Sequence, residues 1–201
     1  MNKEASVNPV LDISEYFIPL NMSELFSNIG DCCLEIGCGH GEFLTEMAKR
    51  EPSHNFIGIE VKRRRFKVAV RAALNEELGN IKFLHMDANV ALDELFHPDT
   101  FSAVYINFPD PWPKEKHLKH RIVNVDFLKY LSFLMKNNGV LEFASDHKDY
   151  IDHTIDVFKS IEFFKAKGYV NKTSRRPATK YEKEFIEEGR TIYYLRFTNL
   201  K

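Results

Sequence analysis

The chain has 201 residues, with 28 Lys and Arg against 29 Asp and Glu, and a formal net charge of -1. Its composition, 44% hydrophobic and 28% charged, is that of an ordinary globular domain and excludes a disordered chain, a coiled coil and a collagen-like fibre. So neutral a balance argues at first sight against a nucleic-acid protein, which usually reads basic.

The start, Met1-Asn2-Lys3-Glu4, lacks the apolar stretch of a signal peptide, and no apolar run is long enough to cross a membrane. Residues 1–30 read as an N-terminal segment packing on the body through Tyr16, Phe17, Ile18, Leu25 and Phe26. Residues 31–201 read as the main domain. Cys32, Cys33 and Cys38 form neither a disulfide framework nor a C-x-x-C pair, so they are expected to be buried thiols of a cytoplasmic protein.

From residue 31 a regular alternation begins. Cys32–Ile36 reads as a strand, then glycines, then a helix with Phe43, Leu44, Met47 and Ala48 at helical spacing. Asn55–Ile59 is a second strand. Lys62–Leu78 is a helix carrying Phe66, Ala69, Val70, Ala73 and Leu74. Ile81–Met86 and Phe101–Phe108 are the third and fourth strands. A helix over 123–136 leads to a fifth strand, Gly139–Ala144, and another helix covers 148–165. Tyr169–Lys172 and Thr191–Phe197 are the last two strands. Alternation of this kind predicts an α/β fold, a mostly parallel sheet with helices on both faces. Ligands then bind at the carboxyl ends of the strands, near the switch in strand order.

The first strand-to-helix junction reads Glu35-Ile36-Gly37-Cys38-Gly39-His40-Gly41-Glu42. The dinucleotide fingerprint G-x-G-x-x-G needs glycine where Glu42 stands. An acid at Glu35 also repels a pyrophosphate and suits a cationic ligand such as S-adenosylmethionine. Glu60, at the end of the second strand, is placed to accept ribose hydroxyls. Asp87 beside Ala88, after the third, fits an adenine amino group and ring. Acids at three successive strand ends behind a G-x-G-x-G loop resemble Rossmann-like S-adenosylmethionine-dependent methyltransferases, with a nicotinamide-dependent dehydrogenase as the competing reading.

The fourth strand runs into Asn107-Phe108-Pro109-Asp110-Pro111-Trp112-Pro113. Three prolines stiffen this loop and preset Asp110, which lowers the entropy cost of binding. Lys114-Glu115-Lys116-His117-Leu118-Lys119-His120-Arg121 follows and reads as a phosphate-contacting patch. His117 and His120 lack the acid or cysteine partners of a metal site, and no metal is expected.

Three segments together resemble the bacterial single-chain tRNA (guanine-N7-)-methyltransferase family. They are Leu34-Glu35-Ile36-Gly37-x-Gly39, the run Asn107 to Arg121, and Thr179-Lys180-Tyr181-Glu182 with Phe185, Gly189, Ile192 and Tyr193. The resemblance implies a Rossmann-like class I methyltransferase fold with a seven-stranded sheet. It implies S-adenosylmethionine as cofactor and, as substrate, a guanosine at position 46 of the tRNA variable loop. Glu35, Glu60, Asp87 and Asp110 are then cofactor contacts, joined from the loop reading by Gly37, Gly39, Gly41 and Ala88. Asp110 is also the catalytic residue. Lys114, Asp146, Thr179, Lys180, Tyr181 and Glu182 match substrate-binding positions. Lys116, His117, Lys119, His120 and Arg121 match the RNA-contacting stretch. Trp112 and Tyr181 are candidate stacking platforms, as is Phe108, for which core packing is the favoured role, and 172–179 is expected to order on RNA binding. Both a monomer and a homodimer fit.

The neutral charge hides a segregation. Residues 62–71, 107–121 and 165–183 hold seventeen of the 28 Lys and Arg and only three acids, Asp110, Glu115 and Glu182. If the fold gathers them at the cofactor edge, an acidic body carries one positive surface. A methyltransferase for a small molecule does not need these segments. A non-catalytic RNA-binding module does not need an intact glycine loop.

Overall fold

In the computed structural model, which describes residues 8–169 and 177–201, strand β1 (Cys32–Ile36) is buried along its whole length. This is the environment of a strand covered on both faces. It pairs in parallel with β2 (Asn55–Ile59) on one side and β4 (Phe101–Asn107) on the other. Strand β3 (Ile81–Leu84) extends the sheet beyond β2, and β5 (Met135–Ser145) continues it beyond β4. Strand β7 (Tyr193–Asn199) lies antiparallel between β5 and β6 (Phe164–Tyr169). The seven-stranded order is β3-β2-β1-β4-β5-β7-β6, which reverses direction between β1 and β4.

Eight-residue or longer helices connect most of these strands. Helices α2 (Glu42–Arg50) and α3 (Arg63–Asn75) cover one face, packing Phe43, Leu44, Met47, Ala69 and Ala73 on Cys33, Phe56 and Phe83. The other face is covered by α4 (Ala88–Leu95), α5 (Val125–Leu134) and α6 (Lys148–Lys159), through Leu92, Leu128, Leu131, Tyr150 and Ile151. The short α1 (Met22–Leu25) joins that side. Helix α7 (Lys180–Glu187) packs Phe185 near Ala144 and Tyr194. In the N-terminal segment Leu11, Leu20, Leu25 and Phe26 are buried, and Val10 and Leu20 bridge to Phe83 and Phe96. Phe17 and Ile18, expected to pack, are exposed instead.

Several boundaries move. Helix α4 was not expected from the sequence, and its N-cap is Asp87, whose carboxylate accepts from the Asn89 amide at 2.9 Å. Helix α6 stops at Lys159 because the amide and hydroxyl of Ser160 both turn back onto the Val157 carbonyl, at 3.1 and 2.6 Å. That frees Phe164 to start β6, so the expected strand Tyr169–Lys172 shifts upstream, its remainder lying outside the described residues. Strand β5 begins at Met135 rather than Gly139. Buried Asn199 fixes that start, donating to the carbonyls of Ser132, Met135 and Lys136 at 3.0 to 3.2 Å. Helix α3 ends at Asn75, not Leu78. Among the described residues no helix is long and apolar enough to cross a membrane.

Candidate functional site

The reversal between β1 and β4 opens a cleft of about 440 Å³ at the carboxyl ends of the strands. That size lies in the range of small-ligand sites. Its first wall is the glycine loop. The amides of Gly37 and Cys38 both donate to the Ile59 carbonyl, at 2.9 and 3.0 Å, pulling the loop across the end of β2. Gly41 then caps α2 in the left-handed region at φ 79°, where an added Cβ would lie 2.8 Å from the Ala69 Cβ. Only glycine meets both demands.

Glu60 holds the loop from below. Its Oε2 accepts from the Gly39 amide at 2.9 Å and its Oε1 from the Lys62 amide at 2.7 Å. One lone pair on each oxygen stays available, because a carboxylate oxygen accepts two hydrogen bonds. Glu35 is buried beneath the loop and accepts from the Asn107 side-chain amide at 2.8 Å. The Cys38 thiol lies in this buried ground, and burial, reinforced by Glu35 and Glu60, pushes its pKa well up. Among the described residues, no group of three or more His, Cys, Asp and Glu could hold a metal ion.

The opposite wall is the proline loop after β4. Phe108 and Trp112 bracket Asp110 symmetrically, and both have positive φ, 50° and 43°. Each also precedes a proline, so both are held in a sparsely populated conformation. Strain of this kind persists only where surroundings impose it, and it fixes where Asp110 stands. Trp112 packs at 5.2 Å from His120 and 5.7 Å from His117.

The expected residues divide by place. Gly37, Glu60, Asp87, Ala88 and Asp110 line the cleft, as do Lys119, His120 and Arg121. Gly39 and Gly41 shape the loop, and Glu35 lies under it. Lys114, Lys116 and His117 lie outside the cleft lining, on the short 3-10 turn Glu115–His120 or at its cap. Arg121 is buried and already committed: its Nε donates to the Pro111 carbonyl at 3.0 Å, an Nη pairs with Asp149, and the guanidinium stacks 4.5 Å over Tyr150. It clamps the proline loop to α6 rather than standing free for RNA.

Apart from Lys114, which caps the 3-10 turn, the substrate-matching set gathers around α7. Thr179 caps the helix, accepting from the Glu182 amide at 3.0 Å, and buried Glu182 accepts from the Tyr194 hydroxyl. Asp146 accepts from Arg190 at 2.9 Å, and Lys180 lies 3.7 Å from Glu184. Two contacts tie this group to the cleft. Arg65 lies 5.8 Å over the Tyr181 ring, and Phe108 meets Phe185 edge-on at 5.5 Å. Two of the basic segments therefore meet at one edge, Lys62 and Arg65 from the first and Lys119 and Arg121 from the second, and Tyr181 brings the helix of the third beside Arg65. Lys172, Arg175 and Arg176 lie outside the described residues. Asn107 and Arg190 received no individual role from the sequence, and Arg65 only as one cation of the segment 62–71. Asn107 stood in plain view before the proline loop, whereas nothing local marked Arg190.

Comparison with known proteins agrees with this geometry. A family model described as a putative methyltransferase matches residues 30–195. A tRNA (guanine-N(7)-)-methyltransferase of Mycoplasma capricolum is 32% identical, with 100% of this chain and 99% of that protein covered. The chain belongs to the tRNA (guanine-N(7)-)-methyltransferase family. A member from Thermotoga maritima is 37% identical over 88% of this chain, which spans only 56% of that longer protein. The fold is shared more widely than the family. A crystal structure of a 30S ribosomal A1408 methyltransferase from an uncultured bacterium superposes with a TM-score of 0.63 at 17% identity, covering 94% of this chain and 95% of that one.

Proposed function

We propose that the chain transfers a methyl group from S-adenosylmethionine to N7 of guanosine 46 in the tRNA variable loop, in the cytoplasm. The observation that carries this reading is Asp110, fixed between two left-handed residues on a wall of the same cleft that Glu60 and Asp87 line, with basic segments at its rim.

The residues present fit the cofactor. Glu60 keeps a lone pair on each oxygen, and Asp87 uses Oδ1 for its cap and keeps Oδ2. Ile59, Met86, Ala88 and Ile106 offer an apolar lining beside them, suited to a nucleoside. Buried Glu35 places negative charge under the loop, suited to a cationic amino-acid end. S-adenosylmethionine, when bound, supplies a methyl group activated on a sulfonium.

Guanine N7 carries an in-plane lone pair and no proton, so no base has to remove one. The protein's work is positioning and electrostatics. Asp110 accepts from the N1 and N2 hydrogens of the guanine, orienting the ring, and faces the positive charge that grows on it. Tyr181 offers a stacking face. Lys114, Lys116, Lys119 and His120 hold the phosphates around the target. Glu182, Thr179 and Asp146 hold α7 where Tyr181 can act.

Asp110→Ala tests the reading. Turnover at saturating cofactor should fall roughly 100- to 1,000-fold; near-normal turnover would overturn the role. A tRNA with adenosine at position 46 should accept no methyl group, and undiminished methylation of it would refute the assigned position.

A further inference from the structure

Helix α3 breaks two local rules of helix stability on its outer side. No acid stands in its first turn, which holds Arg63, Arg64 and Arg65 after Lys62 at the cap. Cations there oppose the helix dipole. Arg63, Lys67 and Arg71 then recur every four residues, so like charges stack turn upon turn, which destabilises an isolated helix.

Nothing among the described residues relieves this. Arg63, Arg64, Lys67 and Arg71 are all exposed, across the helix from the buried Ala69 and Ala73. Among the described residues none of the four has a carboxylate partner, and Glu76 at the end of the helix pairs with Lys49 of α2 instead, at 3.2 Å. An ordinary solvated face, in a chain with as many acids as bases, mixes both signs. A local cost without a structural return marks a functional surface.

The ridge starts at the cleft. Lys62 and Arg65 line it, and the four cations lead away from them along roughly 12 Å of helix axis, at about 1.5 Å per residue. An unpaired row of one sign and even spacing fits a polyanion with regularly spaced charges.

We propose that Arg63, Arg64, Lys67 and Arg71 dock the sugar-phosphate backbone of the tRNA outside the loop that presents the target guanosine. The inference rests on the tRNA reading above. The ridge contacts phosphates and reads no base, so it adds affinity and sets the approach of the tRNA body without sequence preference.

The test is the salt dependence of binding to unmodified tRNA, for wild type and for the triple variant Arg63→Gln, Lys67→Gln, Arg71→Gln. Three lost phosphate contacts should flatten the slope of log affinity against log salt by about 2 to 3, and weaken binding roughly 10- to 100-fold at physiological salt. The KM for tRNA should rise while kcat at saturating tRNA holds. A lysine variant, Arg63→Lys with Arg71→Lys, should keep the wild-type slope, since a phosphate contact of this kind needs only charge. An unchanged slope in the glutamine variant, with wild type still forming 7-methylguanosine, overturns the ridge alone. Failure of wild type to methylate tRNA at all overturns the underlying reading instead. Loss of slope in the lysine variant as well would point to a structural role for the arginines and also overturn the proposal.

Discussion

The side-chain amide of Asn107, at the end of β4, donates to the buried carboxylate of Glu35, near the end of β1, at 2.8 Å. This bond spans the point where strand order reverses, so it ties the floor of the glycine loop to the root of the loop carrying Asp110. Asn107→Ala removes a donor from a buried carboxylate and should cost about 1–3 kcal/mol of stability. Asn107→Asp, which sets a second carboxylate against the first, should cost more. Denaturant unfolding of both variants measures this, and weaker binding of S-adenosylmethionine should accompany the loss.

Gly58 is the tightest point under the cofactor loop. A Cβ there would lie 2.7 Å from Phe83 and 2.9 Å from the Cys38 sulfur. Gly58→Ala should therefore destabilise by about 1–3 kcal/mol, the usual cost of overpacking, and displace Cys38 with its loop. Thermal unfolding with and without cofactor should show a smaller ligand-induced gain in the variant.

Arg190 holds Asp146, whose side chain is only 8% exposed, and also lies 4.5 Å over the Phe185 ring. Arg190→Ala should raise the KM for tRNA several-fold, through α7, while cofactor affinity is unchanged. The loss in stability should be below about 1 kcal/mol, because the arginine itself is half exposed. Combining it with Asp146→Asn should give less than the sum of the two single effects, as for residues in direct contact.

Burial pushes the Cys33 thiol and the Tyr150 hydroxyl each up to about 12. Below pH 9, the ordinary value for the thiol, both folded and unfolded chains keep its proton and its contribution is constant. Between there and about 12 only the folded chain keeps it, so stability falls as pH rises. Tyr150 adds the same sign of effect from its ordinary value of 10 upward. Each group costs at most about 1.4 kcal/mol per pH unit in its window. Unfolding midpoints measured from pH 8 to 11 should fall, and Cys33→Ala with Tyr150→Phe should flatten the decline.

The alternation of strands and helices was legible because buried strands and amphipathic helices announce themselves over short windows. So was the glycine loop, whose three positive-φ glycines stand in series. Helix α4 escaped because Ala88–Leu95 is short and its cap, Asp87, carried a ligand reading that fits equally well. The end of α6 escaped because Phe163 and Phe164 continue a helical period that Ser160 interrupts. Thr179 and Glu182 drew attention as substrate positions, yet their Thr-x-x-Glu spacing is also that of a capping box, and the fold uses the Thr179 half of it. The convergence of residues 62–71 with 107–121 was beyond local reading. It depends on crossovers that bring Arg65 and Lys119 to one cleft across the reversal in strand order.

The most direct measurement is nucleoside analysis of unmodified tRNA after incubation with the chain and methyl-labelled S-adenosylmethionine. The label should appear in 7-methylguanosine alone, and Asp110→Ala should abolish most of it. Label in any other nucleoside, or tRNA left unlabelled by an active, cofactor-binding chain, would contradict the proposed reaction.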